Sequence, residues 1–103
     1  MANEKVYIGE ELKFLVTMTA DGFNMEDDDY EIVISCGNKK KTLYKSDVLV
    51  DGDGNHYITI NTAEFKKGDL MATVYAYVPD PDFPDGFRTE VDRSRLATIL
   101  NVK

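Results

Sequence analysis

The sequence predicts an all-β fold, and three observations support this prediction. Apolar and polar residues alternate along most of the chain, glycine, asparagine and aspartate separate the alternating segments, and only one short stretch has helical character. Such alternation is typical of strands with one buried face, and those residues are typical of the turns between strands. With 103 residues, of which 43% are hydrophobic and 30% charged, the chain is predicted to form a single domain, residues 1–103.

Five longer segments carry the alternation, and in each of them a set of residues is expected to share one face. These sets are Leu12, Phe14, Val16 and Met18; Tyr30, Ile32, Ile34 and Cys36; Ile58 and Ile60; Leu70, Ala72, Val74, Ala76 and Val78; and Leu96, Thr98, Leu100 and Val102. Shorter candidate strands are KVYI near the start, TLYK at 42–45 and FRTEV at 87–91. We therefore expect about seven strands.

The connections have recognisable turn chemistry. GN at 37–38 suits a tight hairpin, and DGDGN at 51–55 suits a slightly longer one. About seven strands at this spacing, with one helical turn before a long late strand, predict an immunoglobulin-like Greek-key β-sandwich. A small barrel is the alternative.

One connection is predicted to be helical. In NTAEFKKGD, residues 61–69, either Asn61 or Thr62 can cap a single helical turn. Phe65 is expected to fill the core from below, and Gly68 to end the turn.

Charge and hydropathy limit the partners and the location. The formal net charge of −7 argues against sequence-independent binding to nucleic acid, because that requires lysine and arginine to neutralise phosphates. The basic clusters at 38–41 and 66–67 lie where turns are predicted and are interpreted as solvated tips. No apolar run is long enough for a signal peptide or a membrane span, so we expect a cytoplasmic protein without a membrane partner.

Few residues could support catalysis. The single cysteine, Cys36, alternates with Ile32 and Ile34 and is interpreted as a buried structural thiol. His56, the single histidine, lies at the start of a strand, and the local sequence offers it no nucleophile. No glycine-rich phosphate loop follows a strand and opens a helix. We therefore expect a protein that is not an enzyme and uses no cofactor.

Two acidic segments have a composition that could suit a metal site. DGDGN has the spacing of the first three ligands of an EF-hand calcium loop, on Asp51, Asp53 and Asn55. However, His56 replaces the required glycine and Thr62 the bidentate glutamate, so a hairpin turn is favoured and calcium binding is the alternative. The segment NMEDDDYE, 24–31, is favoured as a solvated loop, because adjacent side chains of an extended chain point to alternate sides.

A late loop contains every proline of the chain, and three aspartates lie between or after them: Pro79, Pro81 and Pro84 with Asp80, Asp82 and Asp85. Proline restricts its own φ and favours extended conformations in the residue before it, so this loop is expected to be stiff and extended. Phe83 and Phe87 are expected to anchor it in or over the core, and Arg88 to pair with one of the aspartates. A rigid connection is favoured over a docking surface, although a stiff loop loses little entropy when a partner binds.

Three tyrosines have two interpretations. Tyr75 and Tyr77 share the face opposite Val74 and Ala76, and Tyr57 is expected to lie near them on a neighbouring strand. They either cover the sheet or contribute to an interface, because tyrosine is common at protein and saccharide interfaces.

Three long segments carry a family resemblance: YIGEELKFLVTMTADGF, DGDGNHYITINTAEFKKGDLMATVYAYVPD and PDFPDGFRTEVDR. They resemble the small immunoglobulin-like β-sandwich proteins that phages and prophages of gut Bacteroidetes encode near virion structural genes. The similarity covers nearly the whole chain. It implies a non-enzymatic part of a phage particle, such as a head fibre or capsid decoration component, which is made in the cytoplasm and located in the virion.

The sequence is therefore compatible with two functions. The first is a structural or assembly protein that self-associates or binds a capsid protein. The alternative is a monomeric immunoglobulin-like binding module that recognises a carbohydrate or a protein through exposed tyrosines. The residues expected to contribute to interaction are Tyr57, Tyr75, Tyr77, Phe83, Phe87 and Arg88.

Overall fold

A computed structural model describes residues 5–100, and within this range the chain forms eight strands and two short 3₁₀ turns. The strands are β1 (Lys5–Tyr7), β2 (Glu11–Leu15), β3 (Tyr30–Cys36), β4 (Lys39–Tyr44), β5 (Leu49–Val50), β6 (His56–Asn61), β7 (Gly68–Pro79) and β8 (Phe87–Leu100). The 3₁₀ turns span Lys45–Asp47 and Thr62–Glu64. The predicted all-β class is confirmed. None of the described residues belongs to a helix that is long and apolar enough to cross a membrane.

The strands form two sheets. One sheet has five strands in the order β1-β8-β7-β3-β4, and the other has three strands in the order β2-β6-β5. Neighbouring strands are antiparallel except for β1, which runs parallel to the end of β8. The two candidate segments at 87–91 and 95–102 belong to one strand within the described residues, whereas β5 was not predicted.

Both sheets contribute to one hydrophobic core. The faces predicted for the first four alternating segments are confirmed, because their residues are buried or pack against the buried cluster. Among the most deeply buried side chains are Tyr30, Ile32, Ile34, Leu70 and Val78. Removing these apolar surfaces from water is the main stabilising contribution to the fold.

The face predicted for the last segment holds only at its start. Leu96 packs against the buried cluster, but beyond it Ala97 and Ile99 are buried, whereas Thr98 and Leu100 are only partly covered; Val102 lies outside the described residues. The cause is a β-bulge, since Leu70 pairs with Ala97 but its neighbour Met71 pairs with Arg95. Leu96 is therefore an extra residue, and the side chains of β8 change faces at this point.

The connections largely follow the predicted turn chemistry. Gly37 has a φ of +58° in the two-residue turn between β3 and β4, a conformation that glycine adopts readily. The helical turn after β6 is present: the Asn61 side chain accepts a hydrogen bond from the Ala63 amide at 2.9 Å, and Phe65 is buried. Gly68 was expected to end this turn, but it is instead the first residue of β7.

Candidate interaction surface on the late hairpin

The β7–β8 hairpin is the longest paired element of the described chain. The two strands pair from Gly68 with Ile99 to Pro79 with Phe87. The loop between them consists of turns, closed by hydrogen bonds from the Asp80 amide to the Gly86 carbonyl at 2.8 Å and from the Gly86 amide to the Phe83 carbonyl at 2.9 Å. The expectation of an extended loop is therefore wrong, because these internal hydrogen bonds fold it back on itself.

Arg88 connects three parts of the chain. Its Nη1 lies 3.0 Å from Asp80 Oδ2, and its Nε lies 3.0 Å from Glu90 Oε2. Its Nη2 donates to the Asp21 carbonyl at 2.6 Å. The predicted pairing with a loop aspartate is confirmed, and Asp80 is the partner. Hydrogen bonds to Glu90 and then to Asp80 raise the pKa of the Arg88 guanidinium, so the side chain stays charged and holds the base of the loop.

Phe83 and Phe87 do not anchor the loop in the core. Their exposed fractions are 44% and 51%. Phe87 lies opposite Pro79, and the next pair of the hairpin is Val78 with Arg88. Since Val78 is buried on the inner face and successive residues of a strand point to opposite faces, the Phe87 side chain projects from the outer face of the sheet. The sequence showed an aromatic residue beside a turn but not the face to which it belongs.

The outer face of the hairpin brings together four large side chains, which we call the hairpin face: Tyr75, Tyr77, Phe87 and Val91. Tyr75 pairs with Val91, Tyr77 pairs with Thr89, and Pro79 pairs with Phe87. These pairs follow one another at two-residue intervals, so their side chains lie on the same face of the sheet. Both tyrosines are half-buried, whereas Val91 is 57% exposed. Val91 was not predicted as an interaction residue, although it lies four residues after Phe87 on the same strand and therefore shares its face.

Tyr77 is partly held in place by its neighbours. Its backbone amide donates to the Asp29 carbonyl at 3.0 Å. Burial raises the pKa of the Tyr77 hydroxyl, and a hydrogen bond to Glu31 raises it further. Tyr77 therefore presents a fixed aromatic surface, which suits recognition at low entropic cost.

Tyr57 does not lie near the other two tyrosines. It belongs to β6 in the three-stranded sheet, whereas Tyr75 and Tyr77 belong to β7 in the five-stranded sheet. Lys13 Nζ lies 4.3 Å from the centroid of the Tyr57 ring. The expectation of one site formed by all three is wrong, because strands close in sequence are distributed between two sheets.

The DGDGN loop is organised as a turn. Asp51 Oδ1 accepts hydrogen bonds from the amides of Asp53 and Asn55, each at 2.9 Å. These bonds, with that from Asn55 the largest contribution, lower the pKa of Asp51. Among residues 5–100, no group of three or more histidine, cysteine, aspartate or glutamate side chains is arranged to hold a metal ion.

The acidic loop at 24–31 is also held by its own side chains. Asn24 Oδ1 accepts from the Glu26 amide at 2.7 Å, and Asp28 Oδ2 accepts from the Asn24 amide at 2.8 Å. These contacts agree with the favoured interpretation of a solvated loop.

Cys36 lies in the core, and His56 lies at the start of a strand. Cys36 is buried, and its Sγ lies 3.1 Å from the Lys66 carbonyl oxygen. Burial raises the pKa of the Cys36 thiol, and the charge of Asp69 adds to this effect, so the prediction of a buried thiol is confirmed. His56 begins β6 opposite Val50 and is half-buried.

Comparisons of the chain with protein-family models, curated proteins and solved structures found no significant match. By its fold and its surface, the described chain is an all-β protein of two sheets with an exposed apolar and aromatic surface on its longest hairpin.

Proposed function

We propose that this chain is a non-enzymatic structural or assembly protein of the virion type, such as a head fibre or capsid decoration component. It binds protein partners, including further copies of itself, through the hairpin face. The observation that carries this proposal is the exposure of Phe87 and Val91, 51% and 57%, beside Tyr75 and Tyr77 on one face of a sheet. Exposed clusters of large apolar side chains are typical of interaction surfaces.

The strand order supports an immunoglobulin-like Greek-key sandwich. The order β2-β6-β5 matches strands B, E and D of that fold, and the order β8-β7-β3-β4 matches strands G, F, C and C′ of its variable-type sheet. The chain has one cysteine and no tryptophan, so it lacks the disulfide and tryptophan of antibody domains. Other sandwiches share the architecture without these residues.

The hairpin face has the properties of a binding surface. Tyrosine and phenylalanine are enriched at the centres of interfaces, where they provide large contact areas with few rotatable bonds. Here they lie on paired strands rather than on a free loop, and Arg88 fixes the adjacent turn to Asp21 and Asp80. A preorganised surface loses little conformational entropy on association.

The family resemblance of the segments at 7–23, 51–80 and 81–93 supports the virion part of the proposal. Such a protein is made in the cytoplasm and becomes part of the particle. Its partners are then a capsid protein or neighbouring copies of the same chain.

The experiment is a comparison of matched serine variants by sedimentation velocity. We expect Phe87→Ser to reduce self-association. Phe83→Ser, in the adjacent loop, should also reduce it. Leu49→Ser is the control, because Leu49 is similarly exposed, at 47%, but lies on the other sheet. Self-association that is equally strong in Phe87→Ser, Tyr75→Ala and the unmodified chain would overturn the proposal.

A second candidate, a monomeric binding module, is favoured by a row of side chains on the other sheet. Leu15 and Leu49 both pair with Tyr57 and are 61% and 47% exposed. An aromatic ring between apolar side chains suits a saccharide or an apolar peptide. This function predicts a monomer whose binding to a glycan array is lost in Tyr57→Ala and retained in Tyr75→Ala, because Tyr75 belongs to the other sheet. An array without bound glycans would remove the carbohydrate version.

A further inference from the structure

Strand β8 has an open edge. On one side it pairs with β7 from Phe87 to Ile99, and on the other side β1 pairs only with Thr98, Ile99 and Leu100. Along residues 87–94, no other strand of the described chain lies on the side opposite β7. An open edge is a template for pairing with another strand.

The hydrogen-bonding groups of this edge can be assigned from neighbouring contacts. The Tyr77 amide points away from β8, toward the Asp29 carbonyl at 3.0 Å. In an antiparallel ladder, the backbone amides and carbonyls of two opposed residues either bond to each other or point away from each other's strand. Thr89, which lies opposite Tyr77, therefore directs its amide and carbonyl toward the open edge. Val91 and Arg93 do the same, since the pattern repeats every two residues.

The side chains along this edge are complementary to themselves. We propose that β8 pairs in antiparallel orientation with β8 of a second copy, centred on Thr89, and joins two five-stranded sheets into one. In this register Phe87 lies opposite Val91 of the second copy on the outer face. Arg88 lies opposite the second Glu90 on the inner face. The inference rests on the proposed assembly function and specifies its geometry.

The charges select this register over its neighbours. Pairing centred on Arg88 or on Glu90 would place identical charges opposite each other. Pairing centred on Val91 would place Glu90 opposite Asp92. Like charges directly opposed across strands are destabilising. Only the register centred on Thr89 joins the two exposed apolar side chains and also matches opposite charges.

The same charges explain why the occupant is a second copy rather than any extended peptide. Charged side chains on an edge strand normally discourage pairing with other chains. Arg88 and Glu90 already pair within one chain at 3.0 Å, and in a second copy each of them also meets a side chain of opposite charge across the strands. Specificity of this kind arises from penalties against the wrong partner as well as from attraction to the right one.

The register is tested by disulfide trapping. Cys36 is 1% exposed, so an introduced surface cysteine is the reactive thiol. In the proposed pairing, the two Thr89 Cα atoms are about 5.5 Å apart, within the disulfide range of about 4.4–6.8 Å. We expect Thr89→Cys to form a disulfide dimer under mild oxidation. Two copies of Val91→Cys are offset by about 13 Å along the strands and should not form one.

A mixed experiment provides an independent check. Val91→Cys mixed with Phe87→Cys should form a heterodimeric disulfide, while neither variant crosslinks alone. Rapid crosslinking of Val91→Cys alone, or none for Thr89→Cys, would overturn the proposed register.

The contribution of the edge is measured with a matched pair of lysine variants. We expect Val91→Lys to weaken dimerisation by about tenfold or more. Val50→Lys should leave it unchanged, since Val50 has nearly the same exposure, 58%, on a strand of the other sheet. Thr89→Pro removes an amide that points to solvent in the monomer, so it should abolish the dimer while the monomer remains folded.

The outcomes separate this inference from the proposed function. Oligomers that dissociate in Phe87→Ser but do not crosslink through Thr89→Cys would overturn edge pairing and leave assembly through the hairpin face intact. A monomer at every concentration would overturn both.

Discussion

Arg88 Nη1 lies 3.0 Å from Asp80 Oδ2, and this ion pair closes the loop at the end of the β7–β8 hairpin. The same guanidinium donates to the Asp21 carbonyl at 2.6 Å. The contacts therefore fix the hairpin end to the β2–β3 connection. The position of Phe87, immediately before Arg88, depends on this arrangement.

Replacing Arg88 tests the structural role of these contacts. Arg88→Ala should lower the free energy of unfolding, because the hydrogen bonds to Asp80, to Glu90 and to the Asp21 carbonyl are lost together. Urea denaturation measures this value. Arg93→Ala is the control on the same strand, and its effect should stay within about 0.5 kcal/mol. An Arg88→Ala protein as stable as the unmodified chain would contradict the role assigned to Arg88.

Thr62 is the buried polar residue whose removal should be most costly. Its Oγ1 accepts from the Gly9 amide at 2.9 Å and donates to the Glu10 carbonyl at 2.7 Å. Thr62→Val keeps the shape but removes the side-chain partner of the Gly9 amide and one of the two donors to the Glu10 carbonyl, so we expect a loss of about 1 kcal/mol. Thr59→Val, on the exposed side of the preceding strand β6, should have little effect. Equal stabilities of the two variants would show that the Thr62 hydrogen bonds contribute nothing.

Tyr30 has a buried hydroxyl whose removal, unlike that of the Thr62 hydroxyl, should not lower the stability. Its hydroxyl is buried, and among the described residues it has no hydrogen-bond partner. Removing an unpaired buried hydroxyl removes a desolvation penalty, so Tyr30→Phe should retain or increase stability by up to about 1 kcal/mol. Thermal unfolding followed by circular dichroism provides the measurement. A large loss of stability would mean that the hydroxyl is bonded in solution.

Asp51 predicts a specific response to acid. Its pKa in the folded protein is lowered, so its contribution to stability is complete above the unfolded value of about 3.9 and is lost as the pH falls through the folded value. As the pH falls from neutral to below the folded pKa of Asp51, the free energy of unfolding should therefore decrease less steeply for Asp51→Asn than for the unmodified chain. Identical pH profiles would contradict this assignment.

Calcium removal tests the other interpretation of the same loop. Asp51 Oδ1 already accepts two backbone hydrogen bonds, and the loop is complete without an ion. We expect the melting temperature to be the same in calcium chloride and in EDTA. A calcium-dependent increase that disappears in Asp53→Ala would instead establish a binding site.

Much of the fold could be predicted from the sequence because it depends on local alternation. The sets that include Ile32 in β3 and Val74 in β7 were assigned to the buried face from period-two patterns. The turn at Gly37 and the cap at Asn61 also follow from local chemistry. Each of these features requires only information from neighbouring residues.

The errors concern relationships between distant parts of the chain. A bulge at Leu96 reversed the faces at the end of β8, and both possible faces are apolar there, so alternation could not identify the buried one. Tyr57 and Tyr75 were grouped although they belong to different sheets. Val91 was overlooked because its exposure depends on the unpaired edge of β8, which only the topology reveals.

The most direct test is the solution mass of the unmodified chain, measured by light scattering over a wide concentration range. Assembly through β8 and the hairpin face predicts a mass that rises from 11.6 kDa toward twice that value, with the increase abolished in Val91→Lys and retained in Val50→Lys. A mass that remains at 11.6 kDa at every concentration would contradict it.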